Sequence, residues 1–145
     1  MASRSRPSGT INPVEIVVLA GGIGGARFLR GLLAALARRE PGASVTVIGN
    51  TGDDITLFGL RVCPDLDTVM YTLAGVANPE TGWGRRDETW TVMEALGQIG
   101  GETWFRLGDK DLATHIERTR RLHAGESLSS VMRDLGGRLG VKPAM

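Results

Sequence analysis

The stretch at residues 16–32, IVVLAGGIGGARFLRGL, runs from an apolar, β-branched segment through four glycines into a helical pattern. The apolar segment ending at Ala20 predicts a strand buried on both faces. Apolar residues then recur at helical spacing from Phe28 to Leu36, and a second buried strand is predicted at residues 45–48. A strand, a helix and a parallel strand in this order are typical of a Rossmann-like α/β fold with a doubly wound, mostly parallel sheet.

Downstream of the second strand the sequence predicts a short strand or hairpin and then a helix-rich second half. Four helices are expected to begin at or near Asp65, Asp87, Asp109 or Asp111, and Ser127. A short extended piece is expected at residues 103–107. The helix that begins at Asp109 or Asp111 has a predicted apolar face of Leu112, Ile116, Thr119 and Leu122. The last residues, LGVKPAM, look like a helix leading into another strand, so we expect a piece of a longer α/β protein.

The composition excludes several classes of protein. The 145 residues suffice for one domain with a real core, and 41% of them are hydrophobic. The net charge of +1 gives no electrostatic case for binding nucleic acid or an anionic membrane. The single cysteine, Cys63, excludes an internal disulfide framework, which fits a reducing cytoplasm. Residues 1–13 are expected to be a disordered leader, not a signal peptide.

Two interpretations of the glycine turn at residues 21–25 stay open. Glycines between a strand and a helix let a phosphate approach backbone N–H groups at the helix N-terminus. Alternatively, they serve a tight turn for packing alone. Gly22 and Gly24 match the first two glycines of the dinucleotide fingerprint, but the third position is Arg27 and no Walker lysine follows. Arg27 could meet either a phosphate or a carboxylate.

Four aspartates, Asp53, Asp54, Asp65 and Asp67, follow closely after the second strand. The carboxyl edge of a parallel sheet is where α/β proteins bind ligands. Converging carboxylates repel one another unless a cation lies between them, and a hard ion such as magnesium prefers oxygen ligands. The alternatives are helix caps and loop contacts for each aspartate alone, or a ribose held by Asp53 and Asp54.

Further polar candidates lie in two loops. The segment FRLGDKDLATH holds Arg106 and Lys110, which could neutralise phosphates, and His115, which is expected to be a packing residue beside the apolar helix face. The segment GWGRRDETW holds Trp83 and Trp90, which are either core residues or a platform for a flat ring.

Taken together, AGGIGGARFLRGL, GNTGDDITLFGLRVCPDLDTVMYTL, GWGRRDETW and LGDKDLATHIERTR closely resemble the 2-phospho-L-lactate transferase family, called phosphoenolpyruvate transferase in actinobacteria. The resemblance covers about residues 14–141, and it identifies residues 14–145 as the N-terminal part of a single α/β transferase domain. It implies transfer of a phospholactyl or phosphoenolpyruvyl group from a guanosine diphosphate-linked donor to the deazaflavin Fo, with release of GMP, in coenzyme F-420 biosynthesis. Magnesium assists in the family, and relatives are homodimers.

The resemblance also implies roles for individual residues. Asp54 and Asp67 match positions at the metal and deazaflavin end of the site, Asp53 is a further candidate ligand, and Asp54 or Asp67 could take the proton of the acceptor. Arg106 matches a basic position that contacts the deazaflavin in some members, and glycines Gly22, Gly24 and Gly25 would lie against the ligands. Most guanosine-binding residues would lie in a C-terminal half beyond this chain. The alternative is a non-catalytic nucleotide- or dinucleotide-binding module.

Overall fold

A computed structural model of the chain describes residues 14–143 and 145; the expected leader at residues 1–13 lies outside them. The first strand, β1 (Glu15–Ala20), leads into helix α1 (Gly22–Arg39) and a second strand, β2 (Ser44–Gly49). β1 and β2 pair in parallel, with Glu15 opposite Ser44 and Ala20 opposite Gly49. The predicted strand–helix–strand unit is confirmed. Its turn is shorter than expected, because only Gly21 separates β1 from α1.

One face of this strand pair is packed and the other is open. Val45 and Val47 are buried against Leu29 of α1. On the opposite face, Val17 and Leu19 are 64% and 78% exposed. The expectation that β1 is buried on both faces is therefore wrong within the described residues, because α1 packs on a single face.

A β-hairpin follows, formed by β3 (Ile55–Leu57) and β4 (Leu60–Val62). Its turn residues, Phe58 and Gly59, both have positive φ angles, of 52° and 73°, as a tight two-residue hairpin turn requires. The predicted hairpin is thus confirmed, and it leads into α2 (Pro64–Leu73), which packs on α1.

The second half is helical, as predicted, with α3 (Thr91–Gln98), α4 (Asp109–His123) and α5 (Leu128–Arg138). Ser127 caps α5, since its hydroxyl accepts a hydrogen bond from the Ser130 N–H at 3.2 Å. Residues 103–107 form no strand. The fold is α/β; its doubly wound extension stays a prediction. In the described part of the chain, no helix combines the length and apolar character that a membrane span needs.

Two predicted caps are wrong. α2 begins at Pro64, and Asp65 accepts a hydrogen bond from the Asn50 side chain instead of capping the helix. Asp87 has a φ of 56° and lies four residues before α3. The N-terminus of α3 is capped by Asp109, the first residue of α4, because the two helices pack together.

Candidate functional site

The glycine turn and the first acidic residues meet where β1 and β2 end. The amide of Asn50 donates to Asp53 at 3.2 Å and to Asp65 at 2.8 Å. A Cβ atom at Gly21 would lie only 2.8 Å from Oδ2 of Asp65. The carboxylate of Asp65 therefore lies over the start of α1, where the partial positive charge of the helix N-terminus favours an anion.

The glycines of the turn have different local environments. Gly22 has a φ of +58°, a conformation that strains other residues. A Cβ atom at Gly25 would lie 3.2 Å from Cβ of Ala20, so Gly25 allows α1 to approach β1 closely. A Cβ atom at Gly24 would have nothing within 4 Å, which leaves Gly24 facing open space.

Asp54 and Asp67 each have one oxygen paired and one free. Oδ2 of Asp54 accepts a hydrogen bond from Arg61 at 3.0 Å, and its buried Oδ1 has no hydrogen-bond partner. In the first turn of α2, Oδ1 of Asp67 pairs with the guanidinium of Arg118, and the buried Oδ2 has no hydrogen-bond partner. Asp53, by contrast, is exposed and contacts Asn50.

A buried acid–histidine group connects α2 with α4. Asp67, Asp111 and His115 each offer a ligand atom, and these atoms lie within 4.8 Å of one another. Nε2 of His115 lies 3.4 Å from Oδ2 of Asp111, and its Nδ1 lies 3.7 Å from Oδ2 of Asp67. The hydroxyl of Tyr71 donates to Oδ1 of Asp111 at 2.7 Å. Two carboxylates and an imidazole in this arrangement could hold a metal ion.

Helix α4 buries Leu112 and Thr119 as predicted, but its buried face is shifted away from Ile116. Ile116 is 54% exposed, whereas His115 and Arg118 are 1% and 0% exposed. The ion pair between Arg118 and Asp67 stabilises this orientation, and Nη1 of Arg118 also donates to the carbonyl of Arg61 at 3.1 Å. Arg118 was not among the residues expected in the site, although Asp111, His115 and Arg118 share one helical face by their spacing.

Burial controls the charge state of this group. Burial raises the pKa of Asp67 to about 6, against the opposing effect of Arg118 and His115. Burial alone would also raise the pKa of Asp111, but His115 and the Tyr71 hydroxyl hold it below its ordinary value. The group therefore combines one carboxyl that protonates readily with one that stays ionised.

Beside this group lies a cavity of about 340 Å³, which we name the tryptophan cavity. Its lining includes Trp83, Trp90, Arg85, Arg106 and Asp111. The guanidinium of Arg106 lies 4.3 Å from the centre of the Trp90 ring, a cation–π contact. Asp111 thus belongs both to the cavity wall and to the buried acid–histidine group. The size falls in the range of small-molecule sites, and the indole rings suit a flat aromatic ligand.

Comparison with known proteins gives one consistent result. The sequence profile of the family described as 2-phospho-L-lactate transferase CofD matches residues 16–145. A phosphoenolpyruvate transferase of Thermobifida fusca is 66% identical over 123 residues, which cover 81% of this chain and 38% of that protein. The corresponding protein of Streptomyces griseus is 64% identical, over 86% of this chain and 38% of its own length. That of Mycobacterium tuberculosis is 48% identical, over 81% and 39%. The chain thus spans less than two fifths of these relatives.

Proposed function

The chain belongs to the 2-phospho-L-lactate transferase family, and from this premise we propose that it forms the acceptor-binding part of a transferase in coenzyme F-420 biosynthesis. The enzyme moves a phosphoenolpyruvyl or phospholactyl group from a guanosine diphosphate-linked donor to the deazaflavin Fo and releases GMP. The names of the relatives favour the phosphoenolpyruvyl donor. The proposed acceptor site is the tryptophan cavity.

One observation carries the proposal: Asp111 lines the tryptophan cavity and also belongs to the buried acid–histidine group. A planar acceptor stacked on Trp90 would therefore lie next to the group that contains Asp67, the carboxyl that protonates readily. Arg85 and Arg106, both at the cavity wall, supply positive charge for a transferring phosphoryl group. Transfer of such a group depends mainly on positioning and charge neutralisation, which this set of residues offers.

The proton of the acceptor hydroxyl has a proposed destination in Asp67. As the hydroxyl oxygen bonds to phosphorus, the bond between that phosphorus and the oxygen of GMP breaks, and the hydroxyl proton must leave. Oδ2 of Asp67 is buried without a hydrogen-bond partner, and its pKa of about 6 lies close to neutral pH. A general base is most effective when its pKa lies near the working pH. Asp54, with its free Oδ1, is the second candidate.

Magnesium is the proposed metal, and the donor set fits it. Oδ1 of Asp54 and Oδ2 of Asp67 are buried carboxylate oxygens without hydrogen-bond partners, and a hard cation prefers such oxygens. Asp54 or Asp67 would hold the ion, which would neutralise phosphate charge when bound, and the carboxylate left outside the metal shell would be the one that takes the acceptor proton. The buried acid–histidine group shares Asp67 with this proposed site, and its His115 nitrogen suits a transition metal better. Calorimetric titration with Mg²⁺, Mn²⁺ and Zn²⁺ separates the two choices.

The experiment that tests the function is a fluorescence titration of the 145-residue chain with Fo, with and without Mg²⁺. We expect saturable binding that is about tenfold weaker in Trp90→Leu, because the loss of one stacking ring removes about 1–3 kcal/mol. Trp104→Leu is the matched control, since Trp104 is 70% exposed and lies outside the cavity lining. A cooperatively folded chain that does not bind Fo would refute the proposal. Binding of NAD instead would favour the nucleotide-binding module.

A further inference from the structure

The tryptophan cavity has two walls that come from different parts of the chain. One wall belongs to the loop between α2 and α3, residues 74–90, which carries Arg85 and Trp90. The other wall belongs to the segment that leads into α4 and includes Gly108 and Asp111. A ring stacked on Trp90 keeps its distance from Asp111 only if the separation of the two walls is fixed. The contacts that join the walls therefore decide the geometry of the cavity.

The side chain of Lys110 makes one of these contacts. Its ammonium donates to the main-chain carbonyl of Asp87 and, at 3.3 Å, to that of Arg86. In the part of the chain that the structure describes, Lys110 takes part in no ion pair. An ionised donor forms a stronger hydrogen bond than a neutral one. The full charge of this lysine thus acts on the backbone of the loop.

The position of Lys110 is unfavourable for helix α4 itself. It is the second residue of the helix, where the partial positive charge of the N-terminus disfavours a cation. Its neighbours Asp109 and Asp111 are acidic, which is the charge that this end of a helix favours. A residue that opposes the local preference is expected mainly at functional or strained sites. Here the two loop carbonyls supply the favourable partners that the helix end does not.

The backbone of the loop bends where Lys110 binds it. Asp87 has a φ of 56°, a left-handed conformation that strains a residue with a Cβ atom. In an extended chain successive carbonyls point to opposite sides, whereas those of Arg86 and Asp87 both reach one ammonium. The bend at Asp87 and the contact with Lys110 therefore belong together. The hydrogen bonds from the ammonium offset the strain of the left-handed residue.

A second contact between the walls does not depend on the lysine side chain. The carboxylate of Glu88 accepts hydrogen bonds from the backbone N–H of Lys110 at 2.8 Å and from that of Asp111 at 3.0 Å. A Cβ atom at Gly108 would collide with this carboxylate. Glu88 therefore satisfies the N-terminus of α4 whatever side chain stands at position 110. Because the Lys110 side chain is also exposed, its replacement should leave the helix folded.

From these contacts we propose that Lys110 is a positioning residue of the acceptor site. Its ammonium holds Asp87 in the left-handed conformation and thereby sets Arg85 and Trp90 opposite Asp111. The inference rests on the proposed function, because it concerns how the tryptophan cavity is shaped for the acceptor. Among the described residues, Lys110 does not line the cavity, so it acts through the loop and not by contact with the ligand.

Fluorescence titration of the 145-residue chain with Fo measures the effect. We expect Lys110→Met to weaken binding about tenfold, because the loop loses a charge-assisted hydrogen bond. Lys110→Arg should stay within about threefold of the parent chain, since a guanidinium also donates to two acceptors. Lys142→Met is the matched control: Lys142 is exposed, lies outside the cavity lining, and should alter the affinity by less than about twofold. Unchanged affinity in Lys110→Met, or equal losses in Lys110→Met and Lys110→Arg, would overturn the inference.

A second substitution tests the link to Asp87. Glycine adopts the left-handed conformation without strain. Asp87→Gly added to Lys110→Met should therefore bring the Fo affinity back to within about threefold of the parent chain. A glycine in the loop could not replace a lysine that contacts Fo directly. A double variant that binds as weakly as Lys110→Met would show that Lys110 does not act through Asp87.

Amide hydrogen exchange separates this inference from the proposed function, because it needs no ligand. The N–H of Arg86 donates to the carbonyl of Val76 at 2.9 Å, so its exchange reports opening of the loop. In Lys110→Met it should exchange at least about tenfold faster, with the urea midpoint close to that of the parent chain. Faster exchange in a chain that does not bind Fo refutes the proposed function alone. Parent-like exchange in a chain that binds Fo refutes this inference alone, and parent-like exchange without Fo binding refutes both.

Discussion

Replacement of Arg118 by leucine tests the buried ion pair that connects α4 with α2. Arg118 is fully buried, and it contacts Asp67, the carbonyl of Arg61 and Nδ1 of His115. Arg118→Leu keeps an apolar side chain in the space but leaves Asp67 without its counter-charge. Removal of one partner of a buried pair costs about 3–5 kcal/mol. Domains are stable by roughly 5–15 kcal/mol, so this is about a third of the total.

Urea denaturation followed by circular dichroism measures the loss. With a slope of about 2 kcal/mol per molar urea, a loss of about 4 kcal/mol lowers the midpoint by roughly 2 M. Arg120→Leu is the matched control on the same helix. Arg120 pairs with Glu117 at the surface, and its side chain is 65% exposed. Such an exposed pair contributes little, so the control should lower the midpoint only slightly.

The pH dependence of the stability loss in Arg118→Leu identifies its cause. Burial raises the pKa of Asp67 to about 6, and Arg118 opposes that rise, so Arg118→Leu raises this pKa further. When the pKa of a carboxyl is higher in the folded than in the unfolded state, the folding stability falls as the pH rises between the two values. The difference between variant and parent should therefore be larger at pH 7.5 than at pH 5. A loss below about 1 kcal/mol, or one that does not change with pH, would refute the reasoning.

Three further predictions follow from single contacts. Cys63 is fully buried and burial raises its pKa to about 12, so Ellman's reagent at pH 8 should label it only in urea. Rapid labelling of the folded chain would contradict the burial. Because the thiol ionises at lower pH in the unfolded chain, the stability should fall as the pH rises above 9. Asp109→Ala removes the cap of α3 and should cost about 1–2 kcal/mol in urea denaturation, with Asp109→Asn as a control that retains most of it. Gly21→Ala should destabilise the chain because its Cβ would lie 2.8 Å from Asp65. Gly24→Ala, with nothing within 4 Å of its Cβ, should stabilise the chain slightly or leave its stability unchanged. Equal effects of the two substitutions in thermal melts would rule out the packing argument.

The first third of the fold was predictable because its signals are local. The β-branched segment at β1, the glycines and the helical spacing of α1 are contiguous in the sequence. The structure confirms the strand and the helix, with the turn between them reduced to Gly21. The prediction that β1 is buried on both faces was wrong for one of them. A strand's own sequence cannot show which elements cover it, and Val17 and Leu19 remain exposed among the described residues.

The candidate site was predictable only in part, because its central contacts join distant residues. Asp67 was expected in the site from its motif, but its partner Arg118 lies 51 residues further along the chain. Apolar spacing assigned Ile116 to the buried face of α4, but Ile116 is exposed. His115 is buried instead, beside the ion pair of Arg118 with Asp67. Asp109 illustrates the same limit, since an aspartate at the start of one helix caps another helix.

The cap that Asp109 provides makes the order of α3 dependent on α4. α3 has eight residues, too few to persist alone, and its first N–H groups donate to a carboxylate in the opening turn of the next helix. The amides of α3 should therefore exchange with solvent deuterium in the same opening event as those of early α4. Asp111 lies two residues beyond Asp109 and faces the tryptophan cavity. A ligand that steadies Asp111 would then slow deuterium uptake throughout α3, so that occupancy of the cavity is recorded in the exchange rates of a neighbouring helix.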